Sequence, residues 1–208
     1  PFHCSLVPIN EEDVPEETRC RIKKDRTKQK VKALELLKDD SCWKDKSLHS
    51  FLMGFFKSNM DKFTSVPAAV GHHHAYRGGL FIHTAHVFSL CHGIVNNPMC
   101  EFDQVDSDIL YTAAWFHDTG KLDVYSMDGE VPIIDSEKES MMGHITLSDR
   151  IFRRAAEQFG LPEKFIDRVS HCILSHHDRR EWDTVVEPKT IEATILCRAD
   201  CISSRMPD

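Results

Sequence analysis

The sequence predicts an all-α fold, a helical bundle interrupted by one small β-hairpin or flap. Three observations carry this expectation. Apolar residues recur three and four apart, as in Val31, Leu34 and Leu37 or in Leu48, Phe51, Leu52, Phe55 and Phe56, which is the period of one helical face. Residues 80–95 and 109–116 are strongly apolar, as helices buried at the centre of a bundle would be. Extended runs around a turn signal occur at one place, residues 124–135, where Met127-Asp128-Gly129-Glu130 separates two short segments.

Taken in order, residues 1–17 are rich in Pro, Glu and Asp, lack periodicity and read as an irregular lead-in. A helix is expected over 17–38, with Val31, Leu34 and Leu37 on its apolar face, broken by Asp39-Asp40-Ser41. A second covers 47–63, before Pro67. The Gly-rich loop 67–79 follows, and Gly78-Gly79 opens the apolar helix to residue 95. The helix 106–116 ends on His117-Asp118. After the hairpin come helices at 138–159, 162–177 and 190–205, and Pro162 suits the first turn of its helix. The chain divides into an irregular or helical N-terminal extension, residues 1–45, and a main domain, residues 46–208.

The 208 residues are 41% hydrophobic and 28% charged, enough to bury roughly 70% of the unfolded surface without disulfides. Eight cysteines are present and none forms a C-x-x-C pair, which argues against a zinc finger or a thioredoxin-like site. They read as reduced, mostly buried thiols of a cytoplasmic protein. No apolar run approaches the ~20 residues that span a bilayer, and no secretory signal is visible, so no membrane partner is expected. A net charge of −7 argues against a large nonspecific DNA-coating surface. The basic stretch from Arg19 to Lys32 is a local exception, read as a solvated helix face or a phosphate-contacting arm.

Seven residues carry the chemistry: His83, His117, Asp118, His144, His176, His177 and Asp200. A His beside an Asp means little alone. Preceded by a His and followed by a Gly-His, a His-His and an Ala-Asp, it offers enough imidazole and carboxylate for two divalent metals. Asp118 has two oxygens and can bridge them. Neighbours on a helix point about 100° apart, so His117 and Asp118 can serve one metal only near a helix end, and Gly120 is expected to provide the exit. Two adjacent imidazoles at 176–177 facing away from water would be costly unless bound. The donor set suits two divalent transition metals, manganese or iron first, with cobalt, nickel or zinc as further candidates, better than calcium. His73, His74, His86 and His171 are candidates for orienting the ligands.

These residues resemble the HD superfamily of metal-dependent phosphohydrolases over about residues 48–205. The order H…HD…H…HH…D is that of its binuclear subset, which includes the HD-GYP cyclic-dinucleotide phosphodiesterases. Stretches such as His73-His74-Ala75-Tyr76, Gly78-Gly79-Leu80, His83-Thr84-Ala85, Gly143-His144-Ile145 and Leu174-Ser175-His176-His177 are similar to the HD domain of YhaM-type 3′→5′ exoribonucleases. His72-His73-His74 before Gly78-Gly79 also looks like the N-terminal HD domain of MobH-type conjugative relaxases. The resemblance implies one metal on His83, His117, Asp118 and Asp200 and another on Asp118, His144, His176 and His177. It also implies that Lys121, one turn past Asp118, points toward the transferring phosphate.

The expected function is metal-dependent hydrolysis of phosphodiester bonds, acting on nucleic acid as an exonuclease-like or a relaxase-like DNA-processing module, with Asp118, Lys121 and Arg77 in the catalytic apparatus. Further domains or a partner would supply nucleic-acid binding. Lys121 has a surface reading as well, Arg77 is a second phosphate-clamp candidate, and Tyr76 either stacks on a base or packs. Arg179 and Arg180 would guide an anionic substrate. The alternatives are a phosphohydrolase of small nucleotides, a metal-stabilised binding module without turnover, and a di-iron oxidase.

Overall fold

The computed structural model describes residues 26–69, 74–99, 104–129, 131–177 and 184–206. The lead-in, the start of the first expected helix, His72, His73, Arg179 and Arg180 lie outside the described residues. In chain order the helices are α1 (Thr27–Lys38), α2 (Lys46–Phe63), α3 (Gly79–Val95), α4 (Ser107–Phe116) and the single turn α5 (Lys121–Val124). The hairpin β1 (Tyr125–Asp128) and β2 (Val131–Ile134) comes next, then α6 (Ser136–Met142), α7 (His144–Phe159), α8 (Glu163–Leu174) and α9 (Ile191–Ser203). The protein is an all-α bundle with a small hairpin, as its periodicity predicts.

The centre of the bundle is α4. Every one of its residues from Ser107 to Phe116 is buried, and α2, α3, α7, α8 and α9 all pack on it. After its first two residues it is apolar but for Tyr111, Thr112 and the Trp115 N–H, so it has little polar face to offer water and is stable inside. Its start is tied down on several sides. Asp106 caps it by accepting from Ile109 N. The Asp108 carboxylate accepts from the backbone N–H of Lys44 and Asp45 at 3.0 and 2.9 Å. The Asp106 N–H donates to Glu192 Oε1 of α9 at 2.9 Å, and Arg168 of α8 donates to the same oxygen at 3.0 Å. Its far end therefore emerges at a set position, and that end carries His117 and Asp118.

Aromatic rings fill the space between α2 and α4. Phe51 stacks on Phe116 with centroids 5.4 Å apart, and Phe56 meets Trp115 edge-on at 5.3 Å. Ala33, Leu37 and Trp43 join the same core, so the described part of the 1–45 extension packs with the rest. Val31, expected on the buried face of that helix, is 47% exposed. The buried stripe runs through Ala33 and Leu37 instead, and Lys28 and Lys32 are exposed. Among the described cysteines, Cys91, Cys172 and Cys197 are buried free thiols, and burial pushes the Cys172 thiol up to about 12.

Two expected helices are shorter than their periodicity suggests. The segment 138–159 is not continuous: Gly143 adopts φ 67° and separates α6 from α7. Apolar spacing does not register such a break, because each half keeps its own period. The helix expected to reach residue 177 stops at Leu174, and Ser175, His176 and His177 form the turn beyond it. In the hairpin, Tyr125 pairs with Ile134 and Asp128 with Val131 in antiparallel register. Gly129 in the turn takes φ 55°, a conformation such turns require.

Candidate metal centre

All seven residues singled out by spacing converge on one buried region around Asp118. His83 comes from the first turns of α3, His117 and Asp118 from the end of α4, His144 from the first position of α7, His176 and His177 from the turn after α8, and Asp200 from α9. They form two clusters. The ligand atoms of His83, His117 and Asp200 lie within 4.8 Å of one another, and so do those of His144, His176 and His177. Asp118 lies between. Its Oδ2 is 3.3 Å from His83 Nε2 and 3.5 Å from His117 Nε2. Its Oδ1 is 3.7 Å from the Nε2 of both His144 and His176.

Hydrogen bonding decides which ring nitrogens face inward. Nδ1 of His117 is 2.8 Å from the Ala114 carbonyl, and Nδ1 of His176 is 2.7 Å from the Ile173 carbonyl. A carbonyl only accepts, so both Nδ1 atoms carry hydrogen and a neutral ring leaves Nε2 bare. Nδ1 of His144 donates likewise to Glu139 Oε1 at 2.5 Å. Ser203 Oγ sits 3.0 Å from Nδ1 of both His83 and His86. It can accept from His83 and donate to His86 at once, leaving Nε2 of His83 for a cation. The Nε2 atoms of His83 and His117 are 3.3 Å apart. Nε2 of His144, Nε2 of His176 and Oδ1 of Asp118 are buried without hydrogen-bond partners. Buried polar atoms left bare in this way are expensive, and a shared cation satisfies them together. The residues fit a metal.

The charges point the same way. Burial opposes ionisation of Asp118, but Lys121 and His117 outweigh it and hold the carboxyl well below the usual range. Asp200 is likewise lowered, against burial, by His83 and His117. Burial brings His117 down to about 4, and burial with His176 brings His177 down to about 3. On His83 the bonds to Asp118 and Asp200 outweigh burial and raise it. Ionised carboxylates beside the neutral imidazoles of His117 and His177 are the forms that bind metal, whereas His83, held protonated by its two carboxylates, must release its proton to do so.

Lys121 is not a surface residue. It is buried, and its Nζ lies 2.7 Å from Asp118 Oδ2, with Asp118, after the opposing effect of burial, raising its pKa. Arg77 stands apart from the two clusters: it is exposed and donates to the Gly129 carbonyl in the hairpin turn at 2.7 Å. Tyr76 packs, buried, beneath the Arg26 guanidinium, 3.5 Å from its ring centroid. His86 does stand behind His83, and the His74 ring lies 5.5 Å from that of His83. His171 instead accepts from Lys189 N. Asp200 Oδ1 faces His83 Nε2 at 3.1 Å, and the Arg198 side chain on the same helix is exposed.

Gly120 lies in the turn that follows α4, as expected, and has a second purpose there. It is in ordinary right-handed conformation, φ −61° and ψ −24°. A Cβ there would lie 2.0 Å from the His144 carbonyl oxygen and 2.7 Å from Ser148 N. The glycine lets the start of α7 approach the end of α4, and Ser148 Oγ seals the contact by accepting from Gly120 N and donating to the His144 carbonyl. Glu139, Ser148 and Ser203 were not singled out by the sequence. Ser203 had one signal, its position three residues after Asp200 on the same helical face.

Residues 80–205 match the family described as HD domain. Among curated proteins, the chain is similar to the 3′-5′ exoribonuclease YhaM of Bacillus pumilus (strain SAFR-032), 31% identical over 145 residues, covering 70% of this chain and 44% of that protein. It is 31% identical to YhaM of Geobacillus sp. (strain WCH70) over 150 residues, covering 72% and 44%. For YhaM of Bacillus subtilis (strain 168) the values are 29%, 72% and 46%. The chain thus spans less than half the length of each of these relatives. The comparison with solved structures gives no significant match. Among the described residues no helix is long and apolar enough to cross a membrane.

Proposed function

The chain belongs to the HD domain family, and from that premise we propose that it is a metal-dependent phosphohydrolase that cleaves phosphodiester bonds at the ends of nucleic acid. In this reading residues 46–208 form the HD domain and residues 1–45 an extension. Two divalent transition metals, manganese or iron by ligand type, are held by His83, His117, Asp118 and Asp200 on one side and by Asp118, His144, His176 and His177 on the other. The observation that carries the reading is the division of Asp118 between two histidine clusters, one facing each carboxylate oxygen.

When bound, two such cations supply Lewis acidity to the phosphoryl group and lower the pKa of a water. The protein's own groups do the rest. Asp118 and Asp200 provide the negative charge that retains the cations. The outward Nδ1 bonds keep the imidazoles oriented with Nε2 inward. Lys121 places a buried positive charge beside Asp118, where it meets the developing charge of the phosphoryl oxygens. Arg77, exposed at the hairpin turn, is assigned to hold the substrate's phosphate chain from outside. Nucleic acid is favoured as substrate by the relatives that are named exoribonucleases, with further domains or a partner adding affinity. The described cysteines are free, which fits the reducing cytoplasm.

The experiment is to incubate the Mn²⁺-loaded protein with 5′-labelled single-stranded RNA and DNA beside an Asp118→Ala control. A shortening ladder absent from the control supports the proposal, and the preferred strand separates an RNA exonuclease from a DNA-processing module of the relaxase kind. Intact oligonucleotides together with turnover of nucleoside phosphates would move the assignment to small nucleotides.

A further inference from the structure

The junction between α6 and α7 does more than interrupt a helix. In an unbroken helix residues five apart diverge by about 140° around the axis, so Glu139 and His144 would point to different sides. The break at Gly143, φ 67°, turns α6 back, and Glu139 Oε1 reaches Nδ1 of His144 at 2.5 Å. Lys138 steadies the same helix by donating to the Asp123 carbonyl at 3.1 Å. The opposite nitrogen of His144, Nε2, is the buried atom turned toward Asp118 Oδ1.

The other inward-facing rings are held differently. Nδ1 of His117 and of His176 meet main-chain carbonyls, and Nδ1 of His83 meets a hydroxyl. His144 alone of these four is backed by a carboxylate. The second oxygen of that carboxylate, Glu139 Oε2, is buried and has no hydrogen-bond partner. The side chain as a whole is 22% exposed, so the carboxylate keeps some contact with water, but an oxygen buried without a partner still favours positive charge nearby. A divalent cation on His144 would stand one imidazole away.

We propose that Glu139 is a positioning residue for the His144–His176–His177 cluster, fixing the His144 tautomer that leaves Nε2 bare and lending negative charge to a metal site of three imidazoles and one shared carboxylate. The inference rests on the two-metal reading above. It makes the two halves of the centre unequal, because among the described residues the carboxylate lying behind a ligand serves the His144 side.

The test is a calorimetric Mn²⁺ titration of the whole chain, with bound metal counted by elemental analysis, for the wild type, Glu139→Ala, Glu139→Gln and His144→Ala. Glu139→Ala is expected to weaken one metal equivalent by about 10–100-fold and to leave the other unchanged. Glu139→Gln keeps an acceptor oxygen without the charge, so it falls between. Imidazole nitrogen NMR of the metal-free proteins adds an independent readout: the His144 Nδ1–H signal persists in Glu139→Gln and is lost or shifted in Glu139→Ala. If Glu139→Ala binds both equivalents like wild type while His144→Ala loses one, the role of Glu139 is wrong and the two-metal reading stands. If His144→Ala also keeps both, His144 is not a ligand and the inference fails, whereas a wild type that binds fewer than two equivalents overturns the two-metal reading itself. Should Glu139→Ala not fold, Glu139→Gln decides alone, and wild-type affinity in it overturns the proposal.

Discussion

The ammonium of Lys121 lies 2.7 Å from Oδ2 of Asp118, and both side chains are buried. Removing one partner of a buried pair leaves the other charge uncompensated, at a cost of about 3–5 kcal/mol. Lys121→Met should therefore lower the melting temperature of the metal-free protein markedly. Saturating Mn²⁺ should restore much of the loss, because cations would then neutralise Asp118, and ligand binding adds stability to the folded state. Thermal melts with and without metal check this. A variant as stable as wild type without metal would mean that the pair contributes nothing.

Asp118→Ala removes the one group shared by both clusters. We expect it to lose metal from both halves and to abolish phosphodiester hydrolysis, as read by elemental analysis and by the labelled-oligonucleotide gel. Retention of two metals with full turnover would sink the bridging role.

Gly120→Ala tests the close approach of α4 and α7. With a Cβ 2.0 Å from the His144 carbonyl oxygen, backbone must move, and overpacking of this kind costs about 1–3 kcal/mol. The displaced His144 should also weaken metal binding. Gly54→Ala is the matched contrast: exposed in the middle of α2 with open space around it, it should gain about 0.5–1 kcal/mol from helix propensity. Urea midpoints of the two variants should move in opposite directions.

Ser203→Ala removes the hydroxyl shared by Nδ1 of His83 and His86. Losing an orienting contact of this type typically costs at least about tenfold in metal affinity. A Mn²⁺ titration reads it, and unchanged affinity would reduce Ser203 to a packing residue.

Acid sensitivity should come in part from Glu192. Burial raises its pKa, but the Asp106 N–H and other hydrogen bonds, with Arg168, prevail and hold it below the ordinary 4.5. A lowered carboxyl contributes stability that is present above its unfolded pKa and is lost as pH falls through the folded one. The wild type should thus lose stability below about pH 4.5, and Glu192→Gln should lose less over the same range while being about 1–3 kcal/mol weaker at neutral pH. Denaturation midpoints from pH 3 to 7 measure both slopes. Parallel slopes would assign the acid loss to other carboxylates.

What the sequence disclosed and what it concealed divide along a physical line. Apolar periodicity located the helices because burial acts on whole faces, and α4 announced its position by the apolar run from Ile109 to Phe116, broken only by Tyr111 and Thr112. The convergence of His83, His117, Asp118, His144, His176, His177 and Asp200 was legible as a pattern of residue types. Contacts that depend on backbone direction were not legible. Gly143 interrupts a segment whose spacing reads as continuous, so Glu139 was out of view. Gly120 was legible as a turn residue, but not as the position that also makes room for a neighbouring chain segment. Ser203 meets His83 across 120 positions, a partnership no local window contains. Lys121 was open to a surface reading because a lone lysine after a polar turn gives no sign of burial.

The wholly buried α4 has one more consequence. Amides of a central helix exchange with solvent only when the entire fold opens, and His117 and Asp118 continue directly from its last residue. The main-chain hydrogens of Ala113 to Phe116 should be among the slowest in the protein to take up deuterium, at the rate set by global unfolding. Heating should accordingly erase enzymatic competence and tertiary structure in one step, with no folded but inactive species accumulating between them.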